Sequence, residues 1–305
     1  MSTLYTHYDA NIRKTWLLVS VFLIVAMAVG YGLSYYFREP YILIGVSIFA
    51  ILQAGISYWF SDRIVLKMHN AKHIDPDDKG VNTMTPQERE LYRIVENLAI
   101  TAGLPMPRVY IITDQAANAF ATGRDPKHGV VAVTSGLLAI LERDELEGVV
   151  AHELGHIGNR DMLISTMAVV LVGFVAIASD LFLRSHLYFG GGDRRNSGNA
   201  GLILLIVGIA LAILGPIFST LLQLSISRKR EYLADATGAI LTRYPEGLAR
   251  ALEKIHAHST PMRTASKSTA HLFIANPFGS KARLSSLFAT HPPVAERMRR
   301  LRELA

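Results

Sequence analysis

The order of apolar and polar positions divides the chain into blocks. Trp16 to Phe37 and Pro40 to Phe60 are uninterrupted by charge, and as helices each is long enough to cross a hydrocarbon core about 30 Å thick. The first run lacks a small-residue cleavage site and leads straight into the second, so it reads as a retained anchor and the pair as a transmembrane hairpin over residues 1–68. From His69 to Asp161 the pattern becomes that of a globular domain. Thr85-Pro86-Gln87-Glu88 combines an N-cap, a proline at the first helical position and a capping-box glutamate. The stripe Leu91, Ile94, Val95, Leu98, Ala102 then predicts a core-facing helix ending near Gly103. Arg108 to Thr113 and Gly129 to Thr134 are β-branched runs separated by turn residues, predicting two strands of a small sheet joined by a long turn. Asp144 to Asn159 has helical spacing, with Leu146, Val149, Val150 and Leu154 facing inward.

Two further apolar blocks, Met162 to Leu183 and Gly201 to Ser227, are long enough to span. Their connection carries Arg184, Arg194 and Arg195, which opposes sending it across a membrane. Two spans are favoured because an even number of crossings keeps the flanking segments on one side, and a re-entrant pair is the alternative. Residues 228–305 read as two helices broken at Tyr244-Pro245, a polar stretch from Ser259 to Ala270 that reads as mobile, and a basic terminal helix from Pro293 to Leu304.

Composition agrees with this division: 50% of residues are hydrophobic and 18% charged. The absence of cysteine excludes disulfides, thiolate nucleophiles and cysteine zinc fingers, leaving histidine and carboxylates as the strong metal ligands. The formal charge of +6 lies mainly beside apolar runs and in the last helix, without interleaved aromatics. Anionic lipid explains it better than nucleic acid. Arg13 and Lys14 before the hairpin, and Arg63, Lys67 and Lys72 after it, predict that both ends face the cytoplasm.

The chemistry is concentrated in His152-Glu153-Leu154-Gly155-His156. On a helix, positions i and i+4 share a face, so both imidazoles can reach one tetrahedral ion, and Glu153 is rotated towards a bound water as general base. Glu231-Tyr232-Leu233-Ala234-Asp235 supplies a carboxylate third ligand, Glu231, and one turn later Asp235, which can accept the second N–H of a ligating histidine. The competing reading of Glu231 and Asp235 is an exposed charged turn paired with Arg228 or Arg230. Nitrogen and carboxylate donors in this setting favour one Zn2+ per chain. Other histidines, such as His69, His73, His256 and His258, read as solvated or interfacial.

With Asn118-Ala119-Phe120-Ala121-Thr122-Gly123, Ser227 to Asp235, and Thr290-His291-Pro292-Pro293 followed by Arg297, the chain resembles the HtpX family of membrane metalloproteases, and more distantly the CAAX-processing membrane endopeptidases. That resemblance implies a mainly α fold with a small β-sheet: a multi-pass helical membrane protein with a zincin-like (gluzincin) catalytic domain, in two parts (69–161 and 228–305), at the inner membrane. It implies that Asn118, Ala119 and Phe120 lie on an edge strand that pairs with extended polypeptide substrate. It further implies that His291 stabilises the oxyanion, that Arg297 supports the metal-ligand helix, and that the substrates are damaged or misfolded membrane proteins. Read from the residues alone, Asn118 is equally a turn residue, and a histidine before Pro-Pro is commonly a loop or helix-entry residue. The rival functions are a site-2-type intramembrane protease and a non-enzymatic, zinc-stabilised membrane scaffold or chaperone. The acidic residues from Glu142 to Glu147 oppose the former, since its metal helix should lie in an apolar span.

Overall fold

The computed structural model describes residues 4–76, 84–169, 171, 228–266, 268–279 and 291–304. The glycine-rich 190–192 region, the block over 201–227 and most of that over 162–183 lie outside them.

Two long helices open the chain, α1 (Leu4–Phe37) and α2 (Pro40–Met68). Within them, Asn11–Gly32 and Pro40–Met68 are apolar and long enough to cross a membrane. Leu18 and Phe22 of α1 pack with Ala50 and Ala54 of α2, while Ile24, Ile44, Ile48 and Ile51 point outward, as lipid-facing residues do. α2 continues past its apolar run, and Asp62 near its end accepts from Arg108 at 2.5 Å, tying the hairpin to the globular part.

That part holds a four-stranded sheet of β1 (Lys72–Ile74), β2 (Arg108–Ile112), β3 (Ala119–Thr122) and β4 (Val130–Thr134), ordered β1-β2-β4-β3. Both expected strands form, and they pair parallel, Val109 opposite Val131. The link between them is more than a turn, because it contains β3, antiparallel to β4 with Phe120 opposite Ala132. β3 escapes pattern reading because all four of its residues are buried, which removes the alternation that marks a strand.

Helix α3 (Pro86–Thr101) has the complete capping box of Thr85 and Glu88. A short α4 (Ser135–Ile140) leads to α5 (Arg143–Gly158), which carries the two motif histidines. α6 (Arg228–Thr242) and α7 (Pro245–Ala257) flank the expected break, and α8 (Val294–Arg302) ends the fold. α5 packs against α6 and α7 in the main core, where Val149, Val150 and Leu154 are fully buried with Leu248 and Leu252. The approach is close: a Cβ at Gly238 of α6 would stand 3.1 Å from the main-chain nitrogen of His152. α5 stops at Asn159, Arg160 takes a left-handed φ of 54°, and the chain resumes as helix over 161–169.

Two expectations need correction. The 259–270 stretch is fastened among its described residues: Met262 N–H donates to Pro277 O at 2.8 Å, and Arg263 N–H to Asp114 Oδ2 at 2.9 Å. His69 is not solvated; it is buried beside the rings of Phe120 and Phe273 and bonded to Thr264, whereas His73, His256 and His258 are exposed.

Candidate metal centre and active site

One helical turn separates His152 from His156, and their rings stand perpendicular, with centroids 4.7 Å apart. Each ring is oriented through its Nδ1. His152 Nδ1 lies 2.9 Å from Asp235 Oδ1 on α6, and His156 Nδ1 lies 3.2 Å from Asp161 Oδ2. A carboxylate only accepts, so Nδ1 bears the proton in both neutral rings and the lone pairs are left on the Nε2 atoms. Those two atoms face each other at 3.2 Å. Two lone pairs at that separation repel unless a cation or proton sits between them.

Glu231 completes the cluster, its Oε1 lying 3.6 Å from His156 Nε2. One donor atom each from His152, His156 and Glu231 lies within 4.8 Å of the others. Two imidazole nitrogens and a carboxylate oxygen, all oriented by further carboxylates or cations, fit a divalent ion that keeps an open coordination position. The exposed-turn reading of α6 is excluded for these two acids, since Glu231 and Asp235 are buried.

Arg297 of α8 is fully buried and holds Asp235 with both arms of its guanidinium, Nη2 to Oδ1 at 2.6 Å and Nε to Oδ2 at 2.9 Å. Its Nη1 lies 3.9 Å from Glu231 Oε2. His291 Nδ1 approaches the same Oε2 at 2.7 Å. The residues from α5, α6 and the segment before and within α8 thus meet at one point, although 60 residues separate His291 from Glu231 and 145 separate Arg297 from His152.

Electrostatics differentiate these groups. Burial pushes the Glu153 carboxyl up to about 7, partly offset by His156. For His156, burial opposes the charged ring, but the bond to Asp161 and the charge of Glu231 prevail and lift it to about 9. Burial takes His152 down to about 4 despite its bond to Asp235. Asp235 resists burial because Arg297 and His152 hold it at about 2. Glu231 is likewise held well below the ordinary carboxylate range, burial being outweighed by His291 and His156.

Glu153 faces the cleft beside β3, with the Ala121 N–H as a donor to it. Among the described strands β3 lies at the edge of the sheet, and Asn118 immediately precedes it. Its first outward carbonyl is already occupied, since Ile274 N–H donates to Ala119 O at 2.9 Å. The Asn118 side chain is turned inward to clamp the same segment: Oδ1 accepts from Ala275 N–H at 3.1 Å and Nδ2 donates to Ala275 O at 3.0 Å. Phe120 is buried among hydrophobic residues. Sequence reasoning passed over Asp161, Arg230 and His271, which also line the cleft. Asp161 follows the left-handed break after α5, so no helical spacing relates it to His156.

The model of peptidase family M48 matches residues 85–305. The chain belongs to peptidase family M48. It is 46% identical over 305 residues to a protease HtpX homolog of Caldanaerobacter subterraneus subsp. tengcongensis, covering 99% of this chain and 98% of that protein. A protease HtpX homolog of Tropheryma whipplei (strain Twist) is 44% identical over 301 residues, covering 99% and 98%. The crystal structure of S. mikatae Ste24p is similar with a TM-score of 0.49 at 18% identity, over 97% of this chain and 67% of that one. Membership of M48 together with the HtpX relatives makes the chain a membrane metalloprotease, and the His152, His156 and Glu231 cluster could hold a metal ion.

Proposed function

We propose that this M48 chain is a zinc-dependent endopeptidase of the inner membrane that cuts membrane proteins, damaged or misfolded ones among them, with its cleft facing the cytoplasm. The observation that carries the reading is the convergence of His152, His156 and Glu231 with Glu153 beside them. Basic residues flanking the α1–α2 hairpin support the orientation, and the apolar sequences over 162–183 and 201–227 are long enough for two further crossings or a re-entrant pair.

Zinc, when bound by these three residues, supplies Lewis acidity towards the scissile carbonyl and acidifies water. Glu153 takes the proton from the attacking water on its carboxylate and delivers it to the leaving nitrogen. Burial, which lifts this carboxyl to about 7 in the metal-free protein, favours its taking up a proton. Asp235 and Asp161 hold the two imidazoles with their Nε2 atoms together, and Arg297 fixes Asp235. His291 is braced on Glu231 through Nδ1, while its Nε2 is buried without a hydrogen-bond partner among the described residues. It lines the cleft beside Glu231, within reach of the oxygen on which charge develops. Extended substrate lies along β3 past Ala119, where Asn118 sets the strand by clamping residue 275.

Casein digestion by the detergent-purified full chain tests this reading. Glu153→Gln should retain zinc and lose cleavage by about 10²- to 10⁴-fold, the contribution typical of a positioned base, and chelator should abolish activity in the parent. Full activity in Glu153→Gln refutes the assigned base. Chelator-resistant cleavage refutes the metal dependence.

A further inference from the structure

The hydrogen bonds of the metal centre continue into the membrane hairpin. Asn11 begins the apolar part of α1, yet it is buried, and its side-chain amide reaches across the fold. Nδ2 donates to Asp161 Oδ1 at 2.6 Å and to the Asn159 carbonyl at 3.0 Å. Both partners are acceptors, so the amide nitrogen must face them, and both of its hydrogens are used. Asp161 in turn accepts from His156 through its other oxygen. The chain of contacts runs Asn11, Asp161, His156, cluster.

Two physical needs meet at Asn11. The Asn159 carbonyl belongs to the end of α5, where backbone acceptors have no partner within the helix. Asp161 is a carboxylate with little exposure to water, and such a group orients a ring only if its own position is fixed. Arg230 brings a cation close to Asp161, but its Nε is 3.7 Å from Asp161 Oδ1 and its Nη1 makes no hydrogen bond among the described residues. Asn11 therefore makes the short contact. Thr15, one turn along α1, donates to the Asn11 carbonyl at 2.9 Å.

We propose that Asn11 is a positioning residue for the metal centre, acting from the first membrane helix through Asp161 on His156. The anchor is then a component of the metal site, and a displacement of α1 relative to the catalytic part weakens metal binding. This inference rests on the metal reading given above.

The experiment titrates zinc from the detergent-purified full chain with a chelator of known affinity, with no reference to proteolysis. Asn11→Ala should weaken zinc binding about tenfold or more, in the range typical of groups that orient a metal ligand. In an Asp161→Asn background the same substitution should change affinity by no more than about twofold, because the route through the carboxylate is already cut. Equal losses in both backgrounds mean that Asn11 only joins helices, and overturn the proposal. So does parental affinity in Asn11→Ala. If that variant does not accumulate, Asn11→Gln, which displaces the amide by one methylene, is measured identically, and parental affinity there is equally fatal. A parent chain that takes up no zinc overturns the metal reading itself; a parent that binds zinc while Asn11→Ala matches it overturns this inference alone.

Discussion

Arg297→Met removes the cation that allows two acids to stay ionised in the interior. Methionine approximates the length of arginine, so packing at this fully buried position is largely kept. What disappears is the pair of hydrogen bonds to Asp235, at 2.6 and 2.9 Å, and the charge 3.9 Å from Glu231. Removing one partner of a buried ion pair typically costs about 3–5 kcal/mol, because the remaining charge is stranded. At roughly 2–4 °C per kcal/mol for a domain of this size, melting of the metal-stripped protein should fall by about 6–20 °C. The pH dependence gives a second, more specific sign. Asp235 is depressed from 3.8 to about 2, so its contribution to stability is present above the unfolded value and is lost as pH falls through the folded one. Without Arg297 that contribution shrinks, and the gap between parent and variant should narrow as pH drops from about 4 towards about 2. Arg297→Lys should recover only part of the loss, since an ammonium cannot match the two-armed geometry. The assay is thermal unfolding of chelator-treated protein in detergent. A shift below about 2 °C would refute the claim that this arginine balances the buried acids.

Two further outcomes follow from the same geometry. His156 is raised to about 9 without metal, so a metal must displace a proton there, and zinc affinity should climb about tenfold per pH unit from neutrality before levelling near pH 9; a flat titration between pH 7 and 8 counts against that proton. Gly148→Ala would set a Cβ 2.7 Å from the Leu248 nitrogen. The resulting separation of α5 from α7 should cost about 1–3 kcal/mol despite alanine's better helix propensity, and unchanged chemical melting would contradict the close approach.

What could be read from the sequence was what local geometry dictates. His152 and His156 announce themselves because four residues make about one helical turn, and Glu231 with Asp235 for the same reason. The Thr85 capping box and the break at Tyr244-Pro245 are likewise local, and both appear where expected. The readings that failed, or were never made, concern groups whose meaning lies in a distant partner. Ser259 to Ala270 lacks periodicity and so resembles a mobile tether, yet Arg263 reaches Asp114 across 149 positions. Asn118 looks like a turn former, while its amide completes the main-chain bonding of a segment 157 residues away. Asp161 and Asn11 are the clearest case. Each sits beside an apolar run, where a polar residue reads as the edge of a span, and they meet over 150 positions. A buried polar side chain must find a partner, so a lone asparagine entering an apolar helix implies an acceptor elsewhere in the fold. Sequence alone leaves that acceptor unnamed, since fixing its identity requires the left-handed turn at Arg160 that brings Asp161 back beneath His156.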